Sequence, residues 1–206
     1  MPMPTEPQPP SQGEVWRGGW HNQATRLHSP NVGPRPSGVA IDLAVVHSIS
    51  LPPGQYGGDE IERLFTNTLD WDAHPYFDLI RGAEVSAHFV IRRDGQLLQF
   101  VSVLDRAWHA GRSHWQGHDN CNDFSVGIEL EGLEHTPFET AQYEALARLL
   151  HDLAKAWPIA QAVGHEHIAP GRKQDPGKAF DWPLLARLTG WPAECFPPSA
   201  LLDSSR

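Results

Sequence analysis

The sequence predicts a single α/β (α+β) domain in which a mixed central β-sheet is flanked by helices. Three observations point there. The length, 206 residues, is that of one globular unit with tails. Short, β-branched apolar runs alternate with stretches of helical spacing, the pattern of strands and covering helices. A hairpin signal at Asp94-Gly95 makes one strand pair antiparallel, so the sheet is mixed rather than all-parallel.

Taken in order, residues 1–38 are rich in Pro, Gly, Ser and Asn without periodicity, with five prolines among the first ten. They read as a flexible Pro-rich tail (1–19) and an irregular lead-in to a body spanning 20–192; a second tail covers 193–206. Residues 39–46 (VAIDLAVV) fit a strand buried on both faces that ends at His47. The turn-rich segment 51–58 is a loop. Ile61, Leu64, Phe65 and Leu69 follow helical spacing behind Asp59, a candidate N-cap. Residues 88–101 form the hairpin, with Asp94-Gly95 as a two-residue turn. Within 125–130, Val126, Ile128 and Leu130 share one face, so Glu129 projects from the other. A long helix starts between Pro137 and Thr140, carries Tyr143, Leu146, Leu149, Leu150 and Leu153 on one side, and is stopped by Pro158. Residues 162–164 make a brief strand ending at His165, 169–177 a loop, and Asp181 to Thr189 a last helix.

Composition narrows the function. Hydrophobic residues make up 40% and charged ones 20%, the balance of a packed soluble protein. A net charge of −9 leaves no basic footprint for nucleic acid. No run of ~18 apolar residues exists to span a membrane, and the start lacks a secretion signal, so a cytoplasmic monomer is expected. Two cysteines, Cys121 and Cys195, cannot build a disulfide framework. Twelve histidines and eight tryptophans are an ample supply of metal ligands and of flat surfaces for a ring-shaped ligand.

A catalytic zinc takes three N or O ligands and keeps a position for water. His47 and His165 each follow a strand, and Asp175 sits in an Asp-Pro-Gly turn ten residues beyond His165, so neighbouring strand ends could unite them. The same residues also fit ordinary loop histidines and a turn-initiating aspartate. His165-Glu166-His167 is not a zincin fragment, because its histidines are two apart rather than four. No Gly-x-Ser-x-Gly elbow, P-loop or Gly-x-Gly-x-x-Gly opens a helix.

Ten ordered blocks carry a resemblance: VVHSISLPPG (45–54), AHPYF (73–77), VSAH (85–88), IRRDG (91–95), RAWHAG (106–111), NDFS (122–125), GIELEG (127–132), GH (164–165), IAP (168–170) and KQDPG (173–177). Together they resemble the AmpD-type 1,6-anhydro-N-acetylmuramoyl-L-alanine amidases, zinc enzymes related to the peptidoglycan recognition proteins. The resemblance covers roughly residues 20–190 and implies an amidase-like fold of that kind. It implies Zn2+ on His47, His165 and Asp175, Glu129 as the catalytic acid-base and Lys173 as the catalytic cation. It also implies substrate contacts at Ser48, Trp108, His109 and Ala169, with His88 orienting its neighbours rather than binding metal. The implied substrate is an anhydromuropeptide of recycled cell wall, cut between the lactyl group and L-alanine. Ser48 stands where relatives carry Asn, and Glu84 and Asn120 where some carry arginines suited to gripping stem-peptide carboxylates. Two alternatives stay in view: a noncatalytic muropeptide-binding module, and an amidase acting on intact peptidoglycan.

Overall fold

The computed structural model describes residues 14–197. Its central sheet has six strands: β1 (Thr25–Arg26), β2 (Leu43–Ile49), β3 (Phe89–Ile91), β4 (Leu97–Gln99), β5 (Ser125–Glu131) and β6 (Gln161–Gly164). Their spatial order is β6-β2-β5-β3-β4-β1, with β3 and β4 antiparallel and the remaining neighbours parallel. The predicted mixed sheet is therefore present. The helices are α1 (Glu60–Phe65), α2 (Thr140–Ala156), α3 (His165–Ile168) and α4 (Trp182–Thr189).

The central strands are apolar on both faces because both faces are covered. On one, Ala44, Val46, Val126, Ile128, Leu130, Phe89 and Ile91 pack beneath Tyr143, Leu146, Leu150 and Leu153 of α2 and Leu185 of α4. On the other, Leu43, Val45 and Val163 meet Ala110, Cys121 and Ile168. Further along that face Val90 and Leu98 meet Leu51, Ile61, Phe65 and Phe77. This second face carries the site.

Local chemistry accounts for the elements and for departures from expectation. β2 begins later than predicted and continues past His47 to Ile49, because parallel pairing with β5 persists as far as Glu131. The hairpin turn is one residue longer than expected. Ile91 pairs with Leu97 and Arg92 N–H donates to Gln96 O (2.9 Å), leaving a three-residue loop in which Gly95 alone takes positive φ (+86°). Asp59 makes no side-chain cap; it pairs with Arg63 instead, and α1 ends at Phe65, short of Leu69. Asp181 does cap α4, accepting from Leu184 N–H at 2.8 Å, and Gly190 ends that helix in the left-handed region.

The packed body is wider than 20–192. Trp16 stacks edge-on with Trp157 and Phe89 and donates to Asp152 O, and Phe196 is buried against Trp182. The remainder of both predicted tails, 1–13 and 198–206, lies outside the described residues. A buried ion pair ties the 51–58 loop to the hairpin: Arg92 Nη1 donates to Glu131 Oε1 (2.7 Å), which also accepts from Gly57 N–H (2.7 Å).

Candidate active site

Parallel strands end at the same edge, and that edge assembles the site. His47 lies in β2 directly beside Glu129 of β5 in the ladder register. On the other side of β2, β6 ends at Gly164, paired with Val46, so His165 at the start of α3 arrives next to His47. Asp175 is drawn in by Glu166 N–H, which donates to its carbonyl at 2.9 Å. Gly164 permits that approach, since a Cβ there would stand 2.7 Å from Pro176 Cδ.

Three donor atoms converge. His47 Nδ1, His165 Nδ1 and Asp175 Oδ2 are each 3.0 Å from the other two, and the residues are only 1%, 3% and 8% exposed. The set fits a metal ion on several counts. It offers two imidazole nitrogens and one carboxylate oxygen, the composition zinc favours at catalytic sites. Ligands ~2.0 Å from a tetrahedral ion lie about 3.3 Å apart, close to the separation seen. The second nitrogen of each ring is engaged elsewhere, as in histidines that bind metal. His165 Nε2–H donates to Ala110 O (3.1 Å), so its Nδ1 is a bare lone pair aimed at the other two donors. His47 Nε2 lies 2.9 Å from His109 Nδ1.

Electrostatics follow from burial. His47 is pushed down to about 4 by loss of solvent first and by His165 second, against the pull of Asp175. Burial would raise the Asp175 carboxyl, but bonds from His165 and His47 overcome this and hold it well below the usual carboxylate range. Glu129 moves the other way. Burial first, and the Asp175 charge second, push it well above its ordinary value, with only Lys173 opposing. Its Oε2 is buried and has no hydrogen-bond partner among the described residues. A carboxyl with a raised pKa beside a cluster of donors that could hold a metal ion is equipped to accept and return a proton.

The other predicted residues divide. Lys173 sits exposed at the rim, with its ammonium close enough to act on both Glu129 and His47. Trp108 is half-buried and its Nε1 has no partner among the described residues. Ala169 lies buried at the end of α3, where its carbonyl accepts from the backbone N–H groups of Arg172 and Lys173 and so shapes the loop bearing Lys173. Ser48 follows strand alternation onto the face of Ala44 and Val46, opposite His47. His109 is drawn into the cluster itself, with Nδ1 on His47 and Nε2 3.2 Å from Ser125 Oγ. His88 reaches none of the three donors. Its Nδ1 accepts from Gly127 N–H (3.0 Å), its Nε2 meets Asp105 O (3.0 Å), and its ring lies edge-on to His109.

Sequence reasoning missed Ser125 and Arg172. The latter's Nη2 donates to the carbonyls of Ala110 and Arg112, both at 2.7 Å, bracing the segment behind His165. A signal for His109 was present: a glycine at position 127, inside a strand, marks close approach by another group. A Cβ there would stand 2.4 Å from the His109 ring.

A sheet edge that delivers two imidazoles, a carboxylate and a separate buried carboxyl to one cleft is the arrangement of a metal-assisted hydrolase. The family model described as N-acetylmuramoyl-L-alanine amidase matches residues 37–178. The 1,6-anhydro-N-acetylmuramyl-L-alanine amidase AmpD of Salmonella typhimurium (strain SL1344) is 51% identical over 172 residues, 82% of this chain and 92% of the relative. A crystal structure of a selenomethionine AmpD derivative superposes with a TM-score of 0.83 at 48% identity, covering 85% of this chain and 99% of that one. A complex of the Escherichia coli amidase AmiD with anhydro-N-acetylmuramic acid-L-Ala-D-γ-Glu-L-Lys has a TM-score of 0.54 at 30% identity, covering 89% and 68%. The chain belongs to the N-acetylmuramoyl-L-alanine amidase family, and its fold is that of these amidases.

Proposed function

We propose that this chain hydrolyses the amide between the lactyl group of 1,6-anhydro-N-acetylmuramic acid and L-alanine in soluble cell-wall fragments, within peptidoglycan recycling in the cytoplasm. Identity of 51% to an AmpD enzyme over most of both chains supports the substrate. The AmiD complex with an anhydromuropeptide supports the ability of this fold to hold one. The observation that carries the chemistry is the triangle of His47, His165 and Asp175 beside the unpaired Glu129.

In this reading His47, His165 and Asp175 hold a zinc ion. Bound there, the ion supplies a Lewis acid for the scissile carbonyl and lowers the pKa of water toward ~7. Glu129 takes the proton of the attacking water and returns it to the departing alanine nitrogen; its raised pKa suits both transfers. Lys173 places a fixed positive charge near the carbonyl oxygen as negative charge grows on it. Trp108 offers a flat apolar face to the sugar. Ala169 contributes through the loop it shapes, which carries Lys173 toward the cleft. At position 120 the grip on the stem peptide differs from an arginine's, since Asn120 Nδ2 already donates to Asp123 Oδ2 (2.8 Å).

Mass spectrometry of a defined anhydromuropeptide tests the reading. Wild type should release the free stem peptide and the anhydro sugar, and Glu129→Gln should slow this by ~10²–10⁴ while still binding zinc. Binding without cleavage by wild type would favour a recognition module, and faster digestion of whole sacculi would favour intact wall as substrate.

A further inference from the structure

Behind His47 runs a chain of hydrogen bonds that the proposed hydrolysis does not use. His47 Nε2 lies 2.9 Å from His109 Nδ1, His109 Nε2 lies 3.2 Å from Ser125 Oγ, and that hydroxyl lies 2.6 Å from Cys121 O. All four residues are buried. The last link dictates the rest. A carbonyl oxygen only accepts, so the one hydroxyl proton of Ser125 goes to Cys121. A lone pair is then what Ser125 offers His109, and His109 Nε2 must carry hydrogen. A neutral imidazole protonated at Nε2 has a bare Nδ1, so His47 Nε2–H is the donor across the next link. His47 Nδ1 is left as a lone pair facing His165 and Asp175.

The His109 ring is also fixed in place. It lies on the bare backbone of Gly127, where even a methyl group would come within 2.4 Å. Asn122 Oδ1 accepts from the backbone N–H groups of His109 (3.1 Å) and Ala110 (2.8 Å), pinning the segment from the other side.

We infer that His109 and Ser125 are positioning residues that hold His47 in the tautomer able to bind metal, with the Cys121 carbonyl setting the direction of the whole chain. His165 reaches the same state in one step through Ala110 O, so each imidazole of the site is oriented by a backbone carbonyl on the segment 110–121. This gives His109 a task other than contact with substrate. The inference rests on His47 being a metal ligand, as the proposed function holds.

The test strips the protein of metal and titrates zinc against a chromophoric chelator for wild type, Ser125→Ala, His109→Phe, His109→Gln and His47→Ala. Partners of this kind govern metal affinity by 10–100-fold, so Ser125→Ala and His109→Phe should bind zinc about that much more weakly. His109→Gln, whose amide can accept from His47 and donate to Ser125, should recover most of the loss. At saturating zinc Ser125→Ala should keep the wild-type KM for an anhydromuropeptide. Long-range ¹H–¹⁵N correlation spectra of wild type should show hydrogen on Nε2 of both His47 and His109. Zinc affinity within twofold of wild type in both Ser125→Ala and His109→Phe would overturn the inference, as would a raised KM with unchanged zinc affinity, or spectra placing hydrogen on His47 Nδ1. Ser125→Ala deletes a single oxygen, so it serves even where His109→Phe does not fold. Absence of zinc binding by wild type, or undiminished binding by His47→Ala, would instead sink the metal site, and the inference with it.

Discussion

Replacing His88 by Asn should make the metal-free protein less sensitive to acid. His88 is fully buried, and its ring is pushed down from 6.5 to about 3, first by burial and then by the Arg35 guanidinium. Its geometry agrees: Nδ1 accepts from Gly127 N–H, so a second proton would have to displace that bond. The unfolded chain takes up a proton below pH 6.5, whereas the folded one resists until about pH 3. Stability is thus complete above 6.5 and falls as pH drops between the two values. The full gap corresponds to about 5 kcal/mol, of which about 3 kcal/mol is lost by roughly pH 4.5. The Asn variant keeps an acceptor for Gly127 but leaves Asp105 O short of a donor, costing about 1–3 kcal/mol near pH 8. Urea denaturation of chelator-treated wild type and variant across this range provides the assay. The two stability curves should meet or cross, wild type losing about 3 kcal/mol relative to the variant on acidification to roughly pH 4.5. Curves that stay parallel would refute the claim that His88 is held neutral by the fold.

Two further outcomes follow from close packing. Gly127→Ala would gain from a stiffer strand residue, but its Cβ cannot coexist with the His109 ring at 2.4 Å. The net effect should be a loss of about 1–3 kcal/mol in thermal or urea unfolding, together with weakened zinc binding, and unchanged values for both would contradict the packing described. Arg92→Met removes the cation from Glu131, itself only 2% exposed, and should cost about 3–5 kcal/mol. Circular dichroism melts would check it, and Arg92→Met with Glu131→Gln should recover much of the loss.

Much of the site was legible in the sequence because parallel strands bring their ends to one edge. A β-branched apolar run located β2 and a brief apolar stretch at 162–164 located β6, which made it possible for His47 and His165 to meet at neighbouring strand ends. Alternation in 125–130 put Glu129 on the face opposite Val126 and Ile128, where the ladder sets it beside His47. Its burial was not legible. A strand carboxylate reads as solvated until the 106–124 and 165–175 segments are seen to roof that face, and only tertiary structure supplies the roof. The same reason hid the His109–His47 bond, which spans 62 positions in sequence. The two-residue hairpin failed because Asp-Gly fits both short turns, and the register of Ile91 with Leu97 chose the longer one. Trp16 was assigned to a tail from its Pro-rich neighbours, although a tryptophan can dock wherever a complementary apolar surface exists.

In the proposed function two imidazoles and a carboxylate hold one catalytic ion. An anomalous-difference map, recorded at the zinc edge from crystals of wild type grown with zinc, addresses it most directly. A single strong peak should lie between His47 Nδ1, His165 Nδ1 and Asp175 Oδ2, with Glu129 facing it, and should vanish in Asp175→Ala. A map without density there, or with the ion held by other side chains, would rule out His47, His165 and Asp175 as the ligands.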